Sequence, residues 1–366
     1  MDKIFQQICD IYQLNGRLKS VTRLKRGHIN DTFRVDLDVD GKEKSYLFQK
    51  VNVFVFKNPE LIVKNVREVT AHMRRKLDAL GVPDAKRMVL KLYDHDGEGL
   101  YFAENGDCWR VLSFVYDATT YDEFNCELLV AIGRGFGTFL AMLSDFPCGD
   151  LYETIPRFHD TKKRFEDFFK AYAEDAVGRA ADIKAEAEYI ESVFCYADRF
   201  AEMYRRGEIP LRVTHNDTKG NNIMIDVSTG APLAVIDLDT VMPGFAMHDF
   251  GDAVRYAANT AAEDETDLSK VSLDLERYSA LAEGFIPPML GKLSDIEIRN
   301  MPWGVILMTL ENAVRFLTDY LQGDVYFKIA YPTHNLDRGR CQLALAKDAL
   351  LKLENMEIIT ENYLKN

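Results

Sequence analysis

The hydrophobic pattern of this chain changes its period near Phe114–Thr119, and that change limits the folds open to it. Before it, apolar residues alternate with polar ones. Phe33, Val35, Leu37 and Val39 do so in turn, the signature of a strand with one buried face. Asp40-Gly41 supplies a tight turn, and Ser45–Val51 reads as the returning strand. Arg87–Tyr93, Leu100–Ala103 and Trp109–Tyr116 continue the series, so about five antiparallel strands are expected before residue 116. A helix opens the chain, with Ile4, Phe5, Ile8 and Ile11 at helical spacing. A second interrupts the strands: Asn58-Pro59 fits a cap and first helical position, Ile62 to Leu80 recur at three- and four-residue steps, and Gly81 stops it.

After residue 120 the helical period takes over. Leu128, Ile132, Phe136, Phe139, Leu140 and Leu143 make one face, ending before Pro147. Further helices are expected near 161–176, 183–206, 249–260, 265–285 and 295–321, with short strands only within 211–240. The expected fold class is α+β: an antiparallel β-sheet lobe over 1–115 and a mainly helical lobe over 116–366. The chain's 366 residues suffice for two such lobes.

Composition removes several function classes. With 45 basic and 58 acidic residues the net charge is −13, a field that repels nucleic acid and anionic membranes. The six cysteines form no C-x-x-C pair and are expected to be buried thiols rather than a zinc site or disulfide framework. The amino terminus lacks the apolar stretch of a signal peptide, and no apolar run approaches ~18 residues, so a soluble, cytoplasmic protein is expected.

The segment Val213-Thr-His-Asn-Asp-Thr-Lys-Gly-Asn-Asn-Ile-Met-Ile-Asp carries the chemistry. It is a polar loop between apolar strands, with His215, Asp217 and Asn222 in the pattern H-x-D-x-x-x-x-N. Downstream, Ile236-Asp237-Leu238-Asp239 puts a carboxylate at the end of a buried strand. Phosphoryl transfer from a nucleotide needs a carboxylate to orient the attacking hydroxyl and take its proton. It also needs a carboxylate and an amide oxygen to hold a divalent cation, and a cation near the transferred group. Asp217 suits the first role, Asp237 with Asn222 the second, and Lys219 the third. A lone H-x-D would be a solvated loop whose Asp and Asn cap turns. The full series at these offsets is far more specific. His215 is expected to be architectural.

At this point the chain resembles the aminoglycoside phosphotransferase and choline kinase superfamily, whose fold is that of protein kinases. Within it the chain is similar to the N-acetylhexosamine 1-kinases. The resemblance is carried by Gly27-His28-Ile29-Asn30, Trp109-Arg110-Val111, Phe158-His159-Asp160-Thr161, Ile209–Lys219, Ile236–Thr240, Met242-Pro-Gly, Asp249-Phe-Gly-Asp, Asp267–Val271 and Arg315–Phe327. It implies ATP and Mg2+ as cofactors, and transfer of the γ-phosphate to the anomeric hydroxyl of N-acetylglucosamine or N-acetylgalactosamine. The alternative is another small-molecule hydroxyl kinase of the superfamily, acting on another hexose, choline or an aminoglycoside. A catalytically silent nucleotide-binding scaffold is opposed by the intact Asp217, Asn222 and Asp237.

The resemblance makes Arg26–Asp31, between the first two strands, the loop over the phosphates, with Gly27 and Asn30 as contacts. In the strand Tyr46–Asn52 either Gln49 or Lys50 fits the position of a phosphate-facing side chain, because one residue of slip reverses the face; Gln49 is the candidate. Glu68 is a doubtful partner for Lys50. Phe114 and Val115 become the hinge that meets adenine. For the sugar, the resemblance implies His28, Asn216, Arg315 and Tyr326. Glu311, Arg315 and Asp319 fall at i, i+4 and i+8. They read either as pocket residues or as a ladder of salt bridges, and Asp319 is assigned to the ladder. His159-Asp160-Thr161 reads as a sugar or loop contact or as a helix cap, of which the cap is preferred, and Asp249 and Arg255 read as ties between the helical lobe and the loop.

Overall fold

The computed structural model describes residues 2–24 and 29–365. Helix α1 (Asp2–Ile11) leads into β1 (Arg17–Leu24), β2 (Asp31–Val39) and β3 (Lys42–Val51). Then come α2 (Pro59–Ala79), a single turn α3 (Ala85–Met88), β4 (Tyr101–Phe102) and β5 (Cys108–Ser113). The strands form one antiparallel sheet in the order β1-β2-β3-β5-β4. Asp40 and Gly41 join β2 to β3 at φ of 54° and 80°, the left-handed pair that matches the twist of a two-residue hairpin. One face of the sheet (Val35, Leu37, Tyr46, Phe48, Trp109, Val111) buries Phe5, Ile8, Cys9 and Tyr12 of α1 and its end. On the other face Val51 and Cys108 join the apolar stripe of α2, Ile62 to Leu77.

Two expectations for this region need correction. Arg87–Tyr93 is not a strand. It begins inside α3 and then runs along β5 through a single bridge, Leu92 to Leu112. The missing strand is β1, which alternates too little to be read because Arg17, Lys19, Ser20, Thr22 and Arg23 crowd an exposed sheet edge. The start of α2 is as expected, with Pro59 in its first turn, although Asn58 makes no side-chain cap.

The rest of the chain is mostly helical. β6 (Ala118–Thr119) precedes α4 (Cys126–Met142), α5 (Thr161–Glu174), α6 (Lys184–Val193) and α7 (Arg199–Arg205). The strands β7 (Arg212–Thr214), β8 (Ile223–Asp226), β9 (Pro232–Val235) and β10 (Met242–Gly244) follow. Then come α8 (Ala246–Ala257), α9 (Leu275–Phe285), α10 (Asp295–Arg299), α11 (Met301–Leu321), α12 (His334–Leu351) and α13 (Leu353–Glu361). β6, β8 and β9 form one small sheet, and β7 pairs with β10. Asp160 caps α5 by accepting from the Lys163 N–H, as expected.

The expected helix at 183–206 is broken by a tight turn at Phe194–Tyr196, and that at 265–285 starts only after the Asp274 cap. The one at 295–321 breaks at Asn300, where Pro302 has no N–H to continue α10. α12 and α13 were not expected. α12 buries His334, Asn335 and Gln342 among its leucines, so no clean apolar stripe marks it. Nearly all of α11 is buried, and α8 crosses it at Gly251 and Gly304, where a Cβ on either glycine would collide with the other helix's backbone.

The cysteines are free thiols. Cys126 and Cys195 are exposed, against the expectation of burial, because they lie at a helix start and a surface turn. No helix among the described residues is long and apolar enough to cross a membrane.

Candidate active site

The loop after β7 is held from below by α8. The carboxylate of Asp249 accepts the N–H groups of His215 (2.7 Å) and Asn216 (2.8 Å), and Asp252 accepts that of Thr218 (2.9 Å). Burial pushes Asp249 up to about 6. Asn216 takes a left-handed φ of 63°. Its side-chain amide donates to the Thr240 carbonyl (2.8 Å), and its Oδ1 accepts from the Thr214 hydroxyl (3.0 Å). That side chain was expected at the sugar; it is 5% exposed and occupied in shaping the loop. His215 is architectural. It donates from Nε2 to the Ile236 carbonyl (2.9 Å), accepts the Asp217 N–H at Nδ1 (3.3 Å), and packs against Phe136 and Phe139.

This scaffold brings together the four residues picked from the loop and the strand end. Lys219 Nζ lies 2.9 Å from Asp217 Oδ1. Burial alone would raise the Asp217 carboxyl, but the ammonium of Lys219, helped by His215 and Arg255, holds it below the usual carboxylate range. Asp217 in turn raises Lys219. Asn222 donates its amide N–H to the Asp217 carbonyl (2.8 Å) and carboxylate (3.4 Å), and its Oδ1 has no hydrogen-bond partner among the described residues. Asp237 sits at a left-handed φ of 60°. Its carboxyl is pushed up to about 7 by burial and by the charges of Asp239 and Asp217.

An accessible carboxylate within the electrostatic reach of two others, beside an unused amide oxygen, is a donor set that a hard divalent cation fits. Among the described residues no three His, Cys, Asp or Glu side chains cluster as a complete metal cage. Magnesium in nucleotide sites needs none, since phosphates and water supply its other ligands.

The sheet meets this site through Arg110, a residue whose role the sequence reading missed. Its guanidinium is 3% exposed and lies 2.6 Å from Asp239 Oδ1. It also donates to Gln49 Oε1 (2.9 Å), while Gln49 donates to the Thr32 hydroxyl (3.1 Å). Gln49 and Arg110 are cross-strand partners on the face turned toward the loop. Lys50 faces the other way and pairs with Asp107 (2.7 Å), so Lys50 and Glu68 form no ion pair; Glu68 is exposed and its neighbour Arg67 bonds Asp94. Asn30 bridges Asp239 (2.7 Å) and the Asn52 N–H (2.9 Å). Phe114 and Val115 lie where β5 hands over to β6. Gly27 and His28 lie outside the described residues.

On the remaining side, the expected ladder on α11 does not form. Asp319 accepts the N–H groups of Val325 (2.9 Å), Tyr326 (2.8 Å) and Phe327 (2.9 Å), fixing the loop after α11. Glu311 bonds His159 (2.7 Å) and the Thr161 hydroxyl (2.7 Å). Arg315 is left between the rings of Phe158 (5.5 Å) and Phe327 (5.6 Å), with no carboxylate partner among the described residues. Tyr326, 56% exposed, packs edge-on against Phe327. Arg164 donates to the Phe158 carbonyl (2.9 Å), its Nε is buried without a partner, and burial and then Arg315 push it down. Phe158, over which Arg315 lies, touches His159, whose ring reaches the Asn216 carbonyl.

Residues 20–281 match the model of the phosphotransferase enzyme family. The chain belongs to that family. Its backbone also resembles solved structures end to end. A choline kinase from Cryptosporidium parvum Iowa II aligns over 100% of both chains at TM-score 0.61 and 14% identity. An aminoglycoside phosphotransferase from Alicyclobacillus acidocaldarius aligns over 98% of this chain and 96% of its own at TM-score 0.57 and 12% identity. A spectinomycin phosphotransferase in complex with ADP and spectinomycin aligns over 95% and 98% at TM-score 0.55 and 11% identity. At such identities the likeness establishes the kinase-like α+β fold.

Proposed function

We propose that this phosphotransferase is an ATP- and Mg2+-dependent sugar kinase that phosphorylates the anomeric hydroxyl of N-acetylglucosamine or N-acetylgalactosamine. The observation that carries the kinase chemistry is the meeting of Asp217, Lys219 and Asn222 in one loop, to which the strand end bearing Asp237 is tied by the Ile236 N–H donating to the Asn222 carbonyl (2.9 Å). In this reading residues 1–115 form the nucleotide lobe, with Gly27, Asn30, Gln49, Phe114 and Val115 around ATP. Residues 116–366 form the catalytic and acceptor lobe, with His28, Arg315 and Tyr326 at the sugar.

The sugar oxygen forms a bond to the γ-phosphorus as the bond from phosphorus to the β-bridging oxygen breaks, releasing ADP. The hydroxyl proton passes to Asp217. An anomeric hydroxyl is more acidic than an ordinary alcohol, so a carboxylate held ionised by Lys219 is base enough, and orientation dominates. Asp237 and the Oδ1 of Asn222 would hold magnesium, which when bound neutralises the phosphates' charge.

The acceptor side favours a neutral substrate. Two guanidinium groups, Arg164 and Arg315, both reach Phe158, one at its carbonyl and one over its ring, with no carboxylate ion-pair partner among the described residues. They would repel the cations of choline and aminoglycosides and donate hydrogen bonds to hydroxyl and amide oxygens. The Arg315–Phe327 segment, which resembles the N-acetylhexosamine 1-kinases, points the same way.

Product analysis with ATP, magnesium and a panel of N-acetylglucosamine, N-acetylgalactosamine, galactose, choline and kanamycin tests the substrate. Turnover of choline or kanamycin and of none of the sugars would reject it. Asp217→Asn should lower kcat by about 10²–10⁴ while calorimetric ADP binding persists; wild-type turnover would remove Asp217 from the mechanism.

A further inference from the structure

His159 lies on the turn ahead of α5, outside the catalytic loop, yet its ring is wedged between α11 and that loop. Nδ1 is 2.7 Å from Glu311 Oε1, and Nε2 is 3.1 Å from the backbone oxygen of Asn216. A carboxylate and a carbonyl offer only lone pairs, so each contact must contain a hydrogen. The Nε2 hydrogen goes to Asn216, and a further proton must be held between Nδ1 and Glu311. Without it, two lone pairs would face each other across a short, water-free gap. Glu311 is 0% exposed, and its other oxygen accepts from Thr161, so the carboxylate cannot turn away to water.

The carbonyl that His159 holds belongs to a strained residue. Asn216 has a left-handed backbone (φ 63°), which L side chains rarely adopt for steric reasons, and it immediately precedes Asp217. Its N–H is held by Asp249 and its side chain by Thr214 and Thr240, leaving the carbonyl to His159.

We infer that His159 is a positioning residue: with Glu311 it forms a proton-dependent clamp that fixes the backbone entering Asp217 in the geometry needed for transfer. The inference rests on the reading of Asp217 as the base.

The charges around the ring set the direction of its pH response. From α11 it faces Glu311 and, more distantly, Arg315; from α8 it faces His248 and Asp249. The His248 ring is 5.5 Å away and, pushed down to about 3 by burial and by His159, stays neutral. Burial also works against a charged His159, and so does Arg315, but Glu311 outweighs them and raises it. Glu311 is held down to about 2. A raised histidine keeps its proton to higher pH than a free imidazole, and the clamp opens as pH climbs through the raised value.

The test combines ring nitrogen NMR with kinetics. In the wild type both His159 nitrogens should carry hydrogen at neutral pH, and kcat should fall at alkaline pH with the same midpoint as the ring titration. Glu311→Gln removes the charge that retains the proton. Its amide can donate to a neutral Nδ1, so one ring nitrogen should lose its hydrogen and the alkaline step in kcat should vanish. His159→Phe should lower kcat by about 10- to 100-fold with ADP affinity unchanged, a split that simple loss of folded protein does not give. A bare ring nitrogen in the wild type at neutral pH, or wild-type kcat in His159→Phe, would overturn the clamp. If His159→Phe does not fold, the wild-type and Glu311→Gln spectra still decide. If the reading of Asp217 fails instead, the ring spectra would still report the shared proton while Asp217→Asn remained active.

Discussion

The N–H groups of Val325, Tyr326 and Phe327 and the Asn335 side chain all donate to Asp319, a carboxylate 2% exposed at the end of α11. An asparagine there has one oxygen where the carboxylate has two, so it leaves buried donors unmatched. Asp319→Asn should cost about 1–3 kcal/mol in urea unfolding. It should also raise KM for the acceptor while leaving ADP binding unchanged, because the loop it fixes holds Tyr326. An unchanged acceptor KM would detach that loop from the acceptor site. At this scale the loop residues were legible, because Asp217, Lys219 and Asn222 are a few residues apart and their spacing survives folding. Arg110, Asp252 and His159 were not. Each acts on the loop from a distant element: the resemblance marks the segments that hold them, but no local spacing says what each side chain touches.

The crossing of α8 and α11 depends on small residues rather than on amphipathic stripes. A Cβ at Gly304 would collide with the Met247 carbonyl of α8, and backbone cannot move aside as a side chain can. Gly304→Ala should therefore destabilise by about 1–3 kcal/mol, read as a lower denaturant midpoint at unchanged slope. Because α8 supplies Asp249 and Asp252, kcat should fall in the same variant. Gly149, with open space around it and no left-handed φ, should accept alanine within about 0.5 kcal/mol. Elements whose ends carry local signals, such as the Pro59 start of α2 and the Asp160 cap of α5, were readable. β1 and α12 were not. One is a polar edge, and the other is buried around much of its circumference, so neither shows a one-sided period.

Across the whole molecule, the sheet and the helical part are joined by a buried ion pair. Arg110 and Asp239 are 3% and 4% exposed at their side chains, so neither charge has water to fall back on. Arg110→Met alone leaves the Asp239 carboxylate unpaired and should cost about 3–5 kcal/mol. Arg110→Met with Asp239→Asn removes both charges and should recover most of that loss in denaturant unfolding. If the double variant were no better than the single one, the pair would not be what joins the two parts.

The chain by itself determined the β-then-α order, the ends of several helices and the loop-borne set of Asp217, Lys219, Asn222 and Asp237. Those features depend on residues close in sequence, where periodicity and spacing are already defined. Only the tertiary structure decided that Gln49 rather than Lys50 turns toward the loop, that Asn216 shapes the loop from within, and that Arg110 and His159 reach the site. Strand register and helix crossings made those choices. Both are set by burial and charge pairing between segments far apart in the chain, and no local pattern records them.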